Sequence, residues 1–393
     1  MKKILLISYY FNPCQVIGSK RWSEFFTLFD QDDDFEITVL TRNWKGEKLN
    51  NNNIIYIGDE VEFKPFKSIN REFNFFDYLK HPSIYFRSLD KNIFNDKWYK
   101  DTKSWIKKNR NNKYDVIIAT YTPINAIRLG NYAKNILNAK LIIDMRDMMS
   151  IQGQKIKLPV VNFIDNILDR YLLRKANRII SVGPTICKKA SKFYNKKTHL
   201  IYNSFLEKEY THKDFTLKNK NKIVFSYLGT MGIKRNPAGL IQIIDKFCQE
   251  NQKFTMEINF ASQDNPNEFI KILNINNVKI NWLGYINKHE VQILKGKTDC
   301  FILLEDMSIN GKENITGKIF EYMLEQKPVV AYCHSNSDIK YILNESGIGK
   351  IINSNAEFDS FISCITSDNF KLVDQKLLQF SKEKQYEIVK SLL

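Results

Sequence analysis

The feature that most limits what this chain can fold into is a regular alternation of short, mostly apolar runs with helix-like segments. In the first half the runs are KILLIS, FEITVLT, NIIYIG, YDVIIAT, AKLIIDM and NRIISVG, and between them lie segments such as RWSEFFTLF and PINAIRLGNYAKNIL. The second half repeats the plan with KIVFSYLG, FTMEINFA, VKINWLG, DCFILLE and KPVVAYC. Strands that are buried on both faces read as apolar runs, and here helices separate them. The pattern therefore predicts α/β domains built on parallel, doubly wound sheets.

The length of the chain indicates two such domains, because 393 residues are too many for one ordinary hydrophobic core. We predict a first Rossmann-like domain over 1–205 and a second over 222–370. The stretch 206–221 has no apolar periodicity and is the predicted linker. Residues 371–393 read as an amphipathic C-terminal helix that is a candidate to return to the first domain. No apolar run approaches the roughly 20 residues that a membrane-spanning helix needs.

The positive charge of the chain is concentrated in its first half. The net charge is +16, of which residues 1–205 carry +15 and residues 206–393 only +1. A lysine-rich but otherwise ordinary surface would show the excess in both halves. The asymmetry predicts that the first domain meets a polyanion, which can be membrane phospholipid, nucleic acid or a phosphorylated substrate.

Within that half, residues 62–113 combine 13 lysines and arginines with 12 aromatic residues. Aromatic rings beside cations suit an anionic bilayer interface, and they also suit single-stranded nucleic acid. A third interpretation is that the rings pack onto the sheet while the lysines face water. We predict contact with an anionic membrane surface, and no nucleic acid partner.

Residues 313–331 read ENITGKIFEYMLEQKPVVA and carry the clearest functional pattern in the sequence. A helix is predicted to begin here with Thr316 as its N-cap. A helix N-terminus attracts phosphate, and Lys318 in its first turn is unfavourable for the helix dipole unless an anion is present. Glu321 follows three residues later and is able to accept hydrogen bonds from two sugar hydroxyls, while Glu313 lies in the preceding loop. The alternative is a surface helix with an ordinary Lys–Glu pair.

Two glutamates separated by seven residues and followed by KPVVA resemble the signature of glycosyltransferase family 4 and its GT-B relatives. The form GKIFEYMLEQKPVVA resembles the members that make bacterial surface polysaccharides such as O-antigen or capsule. The resemblance implies the GT-B fold, in which two Rossmann-like domains face each other across a cleft. It also implies that Glu321 binds the ribose of a nucleotide and that Glu313, a catalytic candidate, contacts the donor sugar. Family members often have Gly-Phe-Gly after the first glutamate, where this chain has Asn-Ile-Thr-Gly.

Two more segments of the second half resemble donor-binding parts of the family. YLGTMGIKRNP resembles the loop whose basic residues hold the donor diphosphate, and NWLGYINKHEV resembles a strand end whose backbone meets the base. The predicted donor and nucleotide site comprises Gly229, Lys234, Arg235, Gly284, Tyr285, Ile286, Thr316, Gly317, Lys318 and Glu321.

The resemblance places the acceptor in the first domain. YYFNPCQVIGSKRW resembles the flexible loop after the first strand, although relatives usually have paired glycines where this chain has Gly18 and Ser19. IIDMRDMMS resembles a segment at a strand end, so Arg146 and Asp147 are catalytic candidates, with Asp147 as base or positioning acid. The alternative is a buried Asp–Arg pair that holds two loops together. Further acceptor-side candidates at another strand end are Tyr121 and Thr122.

Several patterns are absent from the sequence. No GxGxxG follows the first strand and there is no P-loop, which disfavours NAD binding and P-loop chemistry. The six cysteines contain no CxxC and the five histidines show no metal-ligand spacing. We therefore predict a reducing compartment, no metal and no cofactor.

The sequence as a whole predicts a retaining, metal-independent glycosyltransferase of hexosyltransferase type. It would move a sugar from a nucleotide-diphosphate donor to a hydroxyl of a lipid-linked or oligosaccharide acceptor in a surface glycan. The predicted location is cytoplasmic, peripheral at the inner face of the plasma membrane. Alternatives left open are a nucleotide-sugar epimerase or hydrolase of the same fold, a non-catalytic binding partner in a glycan assembly complex, and a nucleic-acid binder.

Overall fold

The computed structural model describes residues 1–14, 16–63, 96–146, 159–270 and 277–393. The chain forms two compact units. The first comprises Met1–Asn203 together with Lys382–Leu393, and the second comprises Ser204–Ser381.

The described part of the first unit contains a seven-stranded parallel sheet flanked by helices. Its strands are β1 (Lys2–Ile7), β2 (Phe35–Trp44), β3 (Ile54–Val61), β4 (Val116–Tyr121), β5 (Lys140–Met145), β6 (Arg178–Ser181) and β7 (Thr198–Leu200). Its helices before residue 204 are α1 (Ile17–Asp30), α2 (Lys97–Lys108), α3 (Ile124–Leu137), α4 (Pro159–Leu173) and α5 (Pro184–Tyr194). The strand order is β3-β2-β1-β4-β5-β6-β7, and each pair of neighbours is parallel.

The described part of the second unit repeats the plan with a six-stranded parallel sheet. Its strands are β8 (Lys222–Leu228), β9 (Thr255–Ala261), β10 (Val278–Trp282), β11 (Cys300–Leu304), β12 (Val329–Tyr332) and β13 (Gly349–Ile351). Its helices are α6 (Ala238–Glu250), α7 (Asn267–Ile270), α8 (Lys288–Lys297), α9 (Lys318–Glu325), α10 (Asp338–Ser346), α11 (Asn355–Thr366) and α12 (Asp374–Leu378), with 3₁₀ turns at Glu207–Glu209 and Ile309–Glu313. The order β10-β9-β8-β11-β12-β13 confirms the predicted doubly wound sheet.

The continuous apolar runs follow from burial on both faces of the sheets. In β1, Leu5 and Ile7 belong to a core that also contains residues of α2, α3 and α5. Ile4 and Leu6 point to the opposite face and belong to a core built with α1. Since every position from Ile4 to Ile7 is covered, no polar alternation remains in this part of the strand.

The last helix, α13 (Lys382–Leu392), packs on the first unit. The Tyr386 hydroxyl and the Lys390 ammonium donate to the Asp32 carboxylate at 2.9 and 2.7 Å. Lys382, which is 1% exposed, pairs with Glu24 of α1 at 3.0 Å. The predicted C-terminal segment 371–393 therefore divides, since its residues up to Ser381 belong to the second unit.

The predicted linker 206–221 is wrong, because this segment is part of the second unit. Leu217 is 6% exposed and joins the second unit's core. The ring of Phe215 lies 5.3 Å from that of Phe370. The segment lacks helical periodicity because it has an irregular backbone, and its scattered apolar side chains still pack. The chain passes between units at 203–204 and again at 381–382.

A second correction concerns α1, which the sequence predicts from Arg21 and which begins at Ile17. Gly18 and Ser19 therefore lie in its first turn and not in a flexible loop. Both are buried, so the close packing of the residues around this turn outweighs the low helix propensity of Gly18.

The basic aromatic region 62–113 is described at residues 62–63 and 96–113, while 64–95 lie outside the described residues. In α2 the Trp98 side chain is fully buried, and its ring contacts Tyr9 edge-on at 4.9 Å. The lysines of α2 face solvent. In this part the rings pack onto the sheet, which is the third interpretation given above.

No described helix is long and apolar enough to cross a membrane. The residues that the structure describes also contain no group of three or more His, Cys, Asp or Glu side chains arranged to hold a metal ion.

Candidate functional site

The topology of the second unit directs attention to the carboxyl ends of β8 and β11. The strand order reverses between these two strands, and doubly wound sheets bind ligands in the crevice at such a point. The loop after β8 begins at Gly229, and the segment after β11 leads through a 3₁₀ turn to α9. These are the two segments in which the sequence predicts the donor residues.

A cavity of about 390 Å³ lies at this point. Five of the predicted residues line it, although they are far apart in the sequence: Gly229, Tyr285, Ile286, Lys318 and Glu321. Its size falls in the range of small-molecule sites. The structure therefore brings together half of the predicted donor set.

Lys318 is the central cation of the cavity. Its ammonium lies against the backbone of Gly229, where a Cβ would overlap it, and 4.7 Å from the centre of the Tyr227 ring. Gly229 has φ +136°, which also excludes ordinary side chains. Burial, and then the nearby charge of Arg235, lower the pKa of Lys318 to about 8. The charge is thus held where it has little solvation, a setting that favours binding of an anion.

Two ion pairs border the site. Arg235 donates from Nη2 to Glu305 Oε1 at 2.8 Å, and Lys234 lies 3.7 Å from Asp306 Oδ2. Glu305 is 4% exposed, so Arg235 neutralises a buried carboxylate that immediately follows β11. Neither basic residue lines the cavity. Arg235 therefore has a structural role, and its role as a phosphate ligand stays a prediction.

Glu321 occupies the first turn of α9, and its exposed side chain lines the cavity. Its carboxylate makes no hydrogen bond to any residue that the structure describes. The next residue, Tyr322, is buried and stacks on Phe301 of β11 with ring centres 4.4 Å apart. The Tyr322 hydroxyl also donates to the carbonyl of Ile302 at 3.3 Å. Packing of α9 on β11 therefore aims a free carboxylate at the cavity.

The loop between β10 and α8 forms another wall. Tyr285 is 79% exposed and Ile286 half-buried, and both follow Gly284. The loop ends in a capping box, in which the Asn287 side chain accepts from the Glu290 N–H and the Glu290 carboxylate accepts from the Asn287 N–H. This cap fixes the exit of the loop into α8.

The remaining predicted donor residues do not line the cavity. The N-cap of α9 is Gly317, not Thr316, because the Gly317 carbonyl accepts the first helical hydrogen bond, from the N–H of Glu321 at 3.4 Å. Glu313 closes the preceding 3₁₀ turn and is 6% exposed. Its assignment to the donor sugar stays a prediction.

In the first unit, Arg146 is packed against α1. Its guanidinium lies where a Cβ on Gly18 would be, and it donates to the Tyr121 carbonyl at 3.3 and 3.4 Å. Ser19 is 2% exposed in the same turn of α1, and Thr122 follows Tyr121. These candidates are thus neighbours at the carboxyl ends of β1, β4 and β5. Asp147 lies outside the described residues.

The sequence did not predict several other residues that line the cavity. Among them are Thr230, Ser262, Gln263, Val291 and Lys295. Ser262 and Gln263 follow β9, so the rule that ligands bind at strand ends was the signal that could have found them. Lys295 lies on α8, where its ion pair with Glu325 at 3.0 Å gives no sequence pattern.

Comparison with solved structures identifies the fold. Over the whole chain the structure is similar to HepE from Anabaena in complex with UDP, at a TM-score of 0.56, 14% identity and 99% coverage of that chain. It is similar to the lipopolysaccharide outer core galactosyltransferase WaaB at 0.57, 12% and 100%. It is also similar to a glycosyltransferase from Rickettsia africae at 0.58, 13% and 97%. No protein-family model and no curated protein sequence matches the chain. The chain therefore has the predicted GT-B fold.

Proposed function

We propose that this protein is a glycosyltransferase whose second unit binds a nucleoside-diphosphate sugar. The observation that carries the proposal is the pairing, in one cavity, of a half-buried lysine and a free carboxylate on the first turn of α9. Lys318 and the N-terminal N–H groups of α9 would hold the diphosphate. Glu321 would accept hydrogen bonds from ribose hydroxyls, and the base would lie against Tyr285 and Ile286.

The chemistry that this geometry favours is departure of the nucleoside diphosphate from the sugar. Negative charge develops on the leaving phosphate, and a fixed ammonium in a poorly solvated site stabilises it without reorganisation. We propose that Lys318 and the helix terminus fill this role in place of a metal ion. We further propose that configuration at the sugar carbon is retained and that Glu313 contacts the donor sugar.

The acceptor is proposed to bind the first unit at the strand ends around Arg146 and Tyr121. A basic domain suits an acceptor that carries phosphate, such as a lipid-linked glycan. The acceptor hydroxyl would attack the donor sugar carbon as the diphosphate leaves. Asp147 is the proposed base or positioning acid of that step.

Calorimetric titration with UDP, ADP, GDP and CDP tests the site. We expect one diphosphate to bind, and Glu321→Gln to weaken it about tenfold, as expected for the loss of one charge-assisted pair of hydrogen bonds. Glu345→Gln is the matched control, since Glu345 is an exposed glutamate on α10 of the same unit. Absence of binding to all four diphosphates, or equal effects of the two variants, would refute the proposed donor site.

Turnover of the matching nucleotide sugar tests the reaction class. A transferase consumes donor rapidly only when an acceptor hydroxyl is supplied. An epimerase or hydrolase converts the donor alone, which would replace the proposed transfer while leaving the nucleotide site intact.

The affinity for the diphosphate is expected to depend on pH through Lys318. Its pKa of about 8 in the free protein should rise when the anion binds, so binding takes up a proton near pH 8. The contribution of Lys318 is therefore complete below about pH 7, and above pH 8 it falls by up to about tenfold per pH unit. Titrations in buffers of different ionisation enthalpy measure the proton uptake. The same pH dependence in Lys318→Met would exclude this lysine as its source.

A further inference from the structure

One helix of the first unit presents apolar side chains to solvent. On α4 (Pro159–Leu173), Phe163 is 66% exposed, Ile167 50% and Tyr171 56%. These residues are four apart and share one face of the helix. Ile164, 37% exposed, widens the same stripe.

The opposite face of α4 is the buried one, and it is partly polar. Leu173 is fully buried and Asp169 is 3% exposed. The Leu172 carbonyl accepts a hydrogen bond from the Asn131 side chain of α3 at 2.7 Å. Packing on α3 therefore sets the orientation of the helix. Surface helices normally show the reverse pattern, with apolar residues inward, so the exposed stripe is a candidate docking surface.

Two arginines border the stripe. Between Asp169 and Glu207 the sequence contains no acidic residue and nine basic ones. Two of them, the exposed Arg170 and Arg174, lie on α4 or directly after it. The guanidinium of Arg174 sits 4.3 Å from the centre of the Tyr171 ring. The two aspartates of α4, Asp165 and Asp169, occupy helix positions on the side opposite the stripe. An apolar stripe with a cationic border matches an anionic lipid surface.

We propose that α4 docks the first unit on an anionic bilayer, with the Phe163–Tyr171 stripe in the headgroup–acyl boundary and Arg170 and Arg174 at lipid phosphates. A second copy of the chain is a poorer occupant, because a symmetric contact would bring the same basic border against itself. Single-stranded nucleic acid is poorer as well, because two of the four exposed side chains are aliphatic and offer no stacking. This surface is formed by residues other than 62–113, and it needs neither nucleotide nor acceptor.

Co-sedimentation of the full chain with vesicles tests the proposal. The vesicles are phosphatidylcholine with and without phosphatidylglycerol, and we expect binding to the anionic ones alone. The double variant Phe163→Ser/Ile167→Ser should lower the partition coefficient by about tenfold or more, because two large apolar groups no longer insert. The matched control is Tyr341→Ser/Ile388→Ser, which removes two apolar side chains that are 52% and 40% exposed on other helices. The control should bind like the unmodified protein.

A second variant keeps the test decisive if the apolar variant misfolds. Arg170→Gln/Arg174→Gln changes two exposed side chains, and each should weaken binding to anionic vesicles about fivefold. Circular dichroism and thermal unfolding check the fold of every variant.

Three results would overturn the proposal. The first is that the unmodified protein does not bind anionic vesicles, and the second is that the apolar and control variants bind them equally. The third is that the unmodified protein self-associates without binding vesicles and that the apolar variant is a monomer. The proposed function is tested separately, by titration of the second unit's site with nucleoside diphosphates. Failure of membrane docking is therefore distinguishable from failure of the proposed function.

Discussion

Replacing Lys318 by methionine is expected to weaken binding of the nucleoside diphosphate by about a hundredfold, equivalent to about 3 kcal/mol. The ammonium lies in the cavity against the Gly229 backbone and is largely removed from water. A charge-assisted hydrogen bond is strongest in such a setting, and methionine keeps the volume of the side chain while removing its charge. Calorimetric titration with the nucleotide that binds the unmodified protein measures the loss.

The same substitution is expected to leave the protein at least as stable at neutral pH. The folded-state pKa of Lys318 is lowered to about 8, below its ordinary value of 10.5. The folded state therefore opposes protonation of this group at pH 7, and the resulting destabilisation disappears as pH rises from about 8 toward 10.5. Thermal unfolding at pH 7 should show an unchanged or higher midpoint, so that lost binding cannot be attributed to unfolding.

Lys234→Met is the control for charge alone. Lys234 precedes Arg235 in the loop after β8, and its ammonium is half exposed and 3.7 Å from Asp306. Because it does not line the cavity, its removal should weaken binding less than fivefold. Equal losses in the two variants would mean that the net charge of the region, and not the position of Lys318, determines affinity.

The parts of the fold that were predictable from the sequence are those with a local cause. Every strand recognised from an apolar run appears in the sheets. For the inner strands, burial on both faces leaves a direct imprint on the residues, whereas the edge strands β3 and β10 are partly exposed. The helix at α9 was predictable from its apolar spacing, although its N-cap was misplaced by one residue. Boundaries of this kind depend on backbone hydrogen bonds that several neighbouring residues could accept.

The parts that were not predictable depend on contacts between distant residues. Ser262 and Gln263 reach the cavity only because β9 pairs with β8 in the sheet. Lys295 reaches it because α8 packs beside β8. The segment 206–221 resembles a linker because its few apolar residues pack without periodicity. The outward apolar face of α4 has the same period as an inward one, so periodicity alone does not tell which side is buried.

The residues of the candidate site also divide into those with a local sequence signal and those without one. Glu321 and Lys318 were identified through a motif on one helix, and the structure places both in the cavity. The position of Arg235 was also predicted, but its pairing with Glu305, seventy residues away, carries no local signal. Such pairs are visible only once the strands that bear them are aligned.

Asp144→Asn is expected to destabilise the first unit by about 3–5 kcal/mol, because it leaves a buried arginine charge without its counterion. Arg21 and Asp144 are 1% and 0% exposed, and Arg21 Nε donates to Asp144 Oδ2 at 3.1 Å. The Trp22 indole N–H donates to the same oxygen at 2.6 Å. Arg21 also donates to the carbonyls of Ile201 and Tyr202 at 3.1 and 2.9 Å, so the pair connects α1, β5 and the segment after β7.

Thermal unfolding provides the measurement, with an expected decrease in midpoint of about 10 °C for a unit of this size. Asp33→Asn is the control, an exposed aspartate of the same unit whose change should lie within about 0.5 kcal/mol. The double variant Arg21→Met/Asp144→Leu should recover part of the loss, because it removes both charges together. It still leaves the Trp22 N–H without its acceptor and the Ile201 and Tyr202 carbonyls without the Arg21 donor. If the double variant were as unstable as Asp144→Asn, the loss would come from packing or from the indole hydrogen bond. An unchanged midpoint for Asp144→Asn would contradict the prediction, because it would mean that solvent reaches the Arg21 guanidinium.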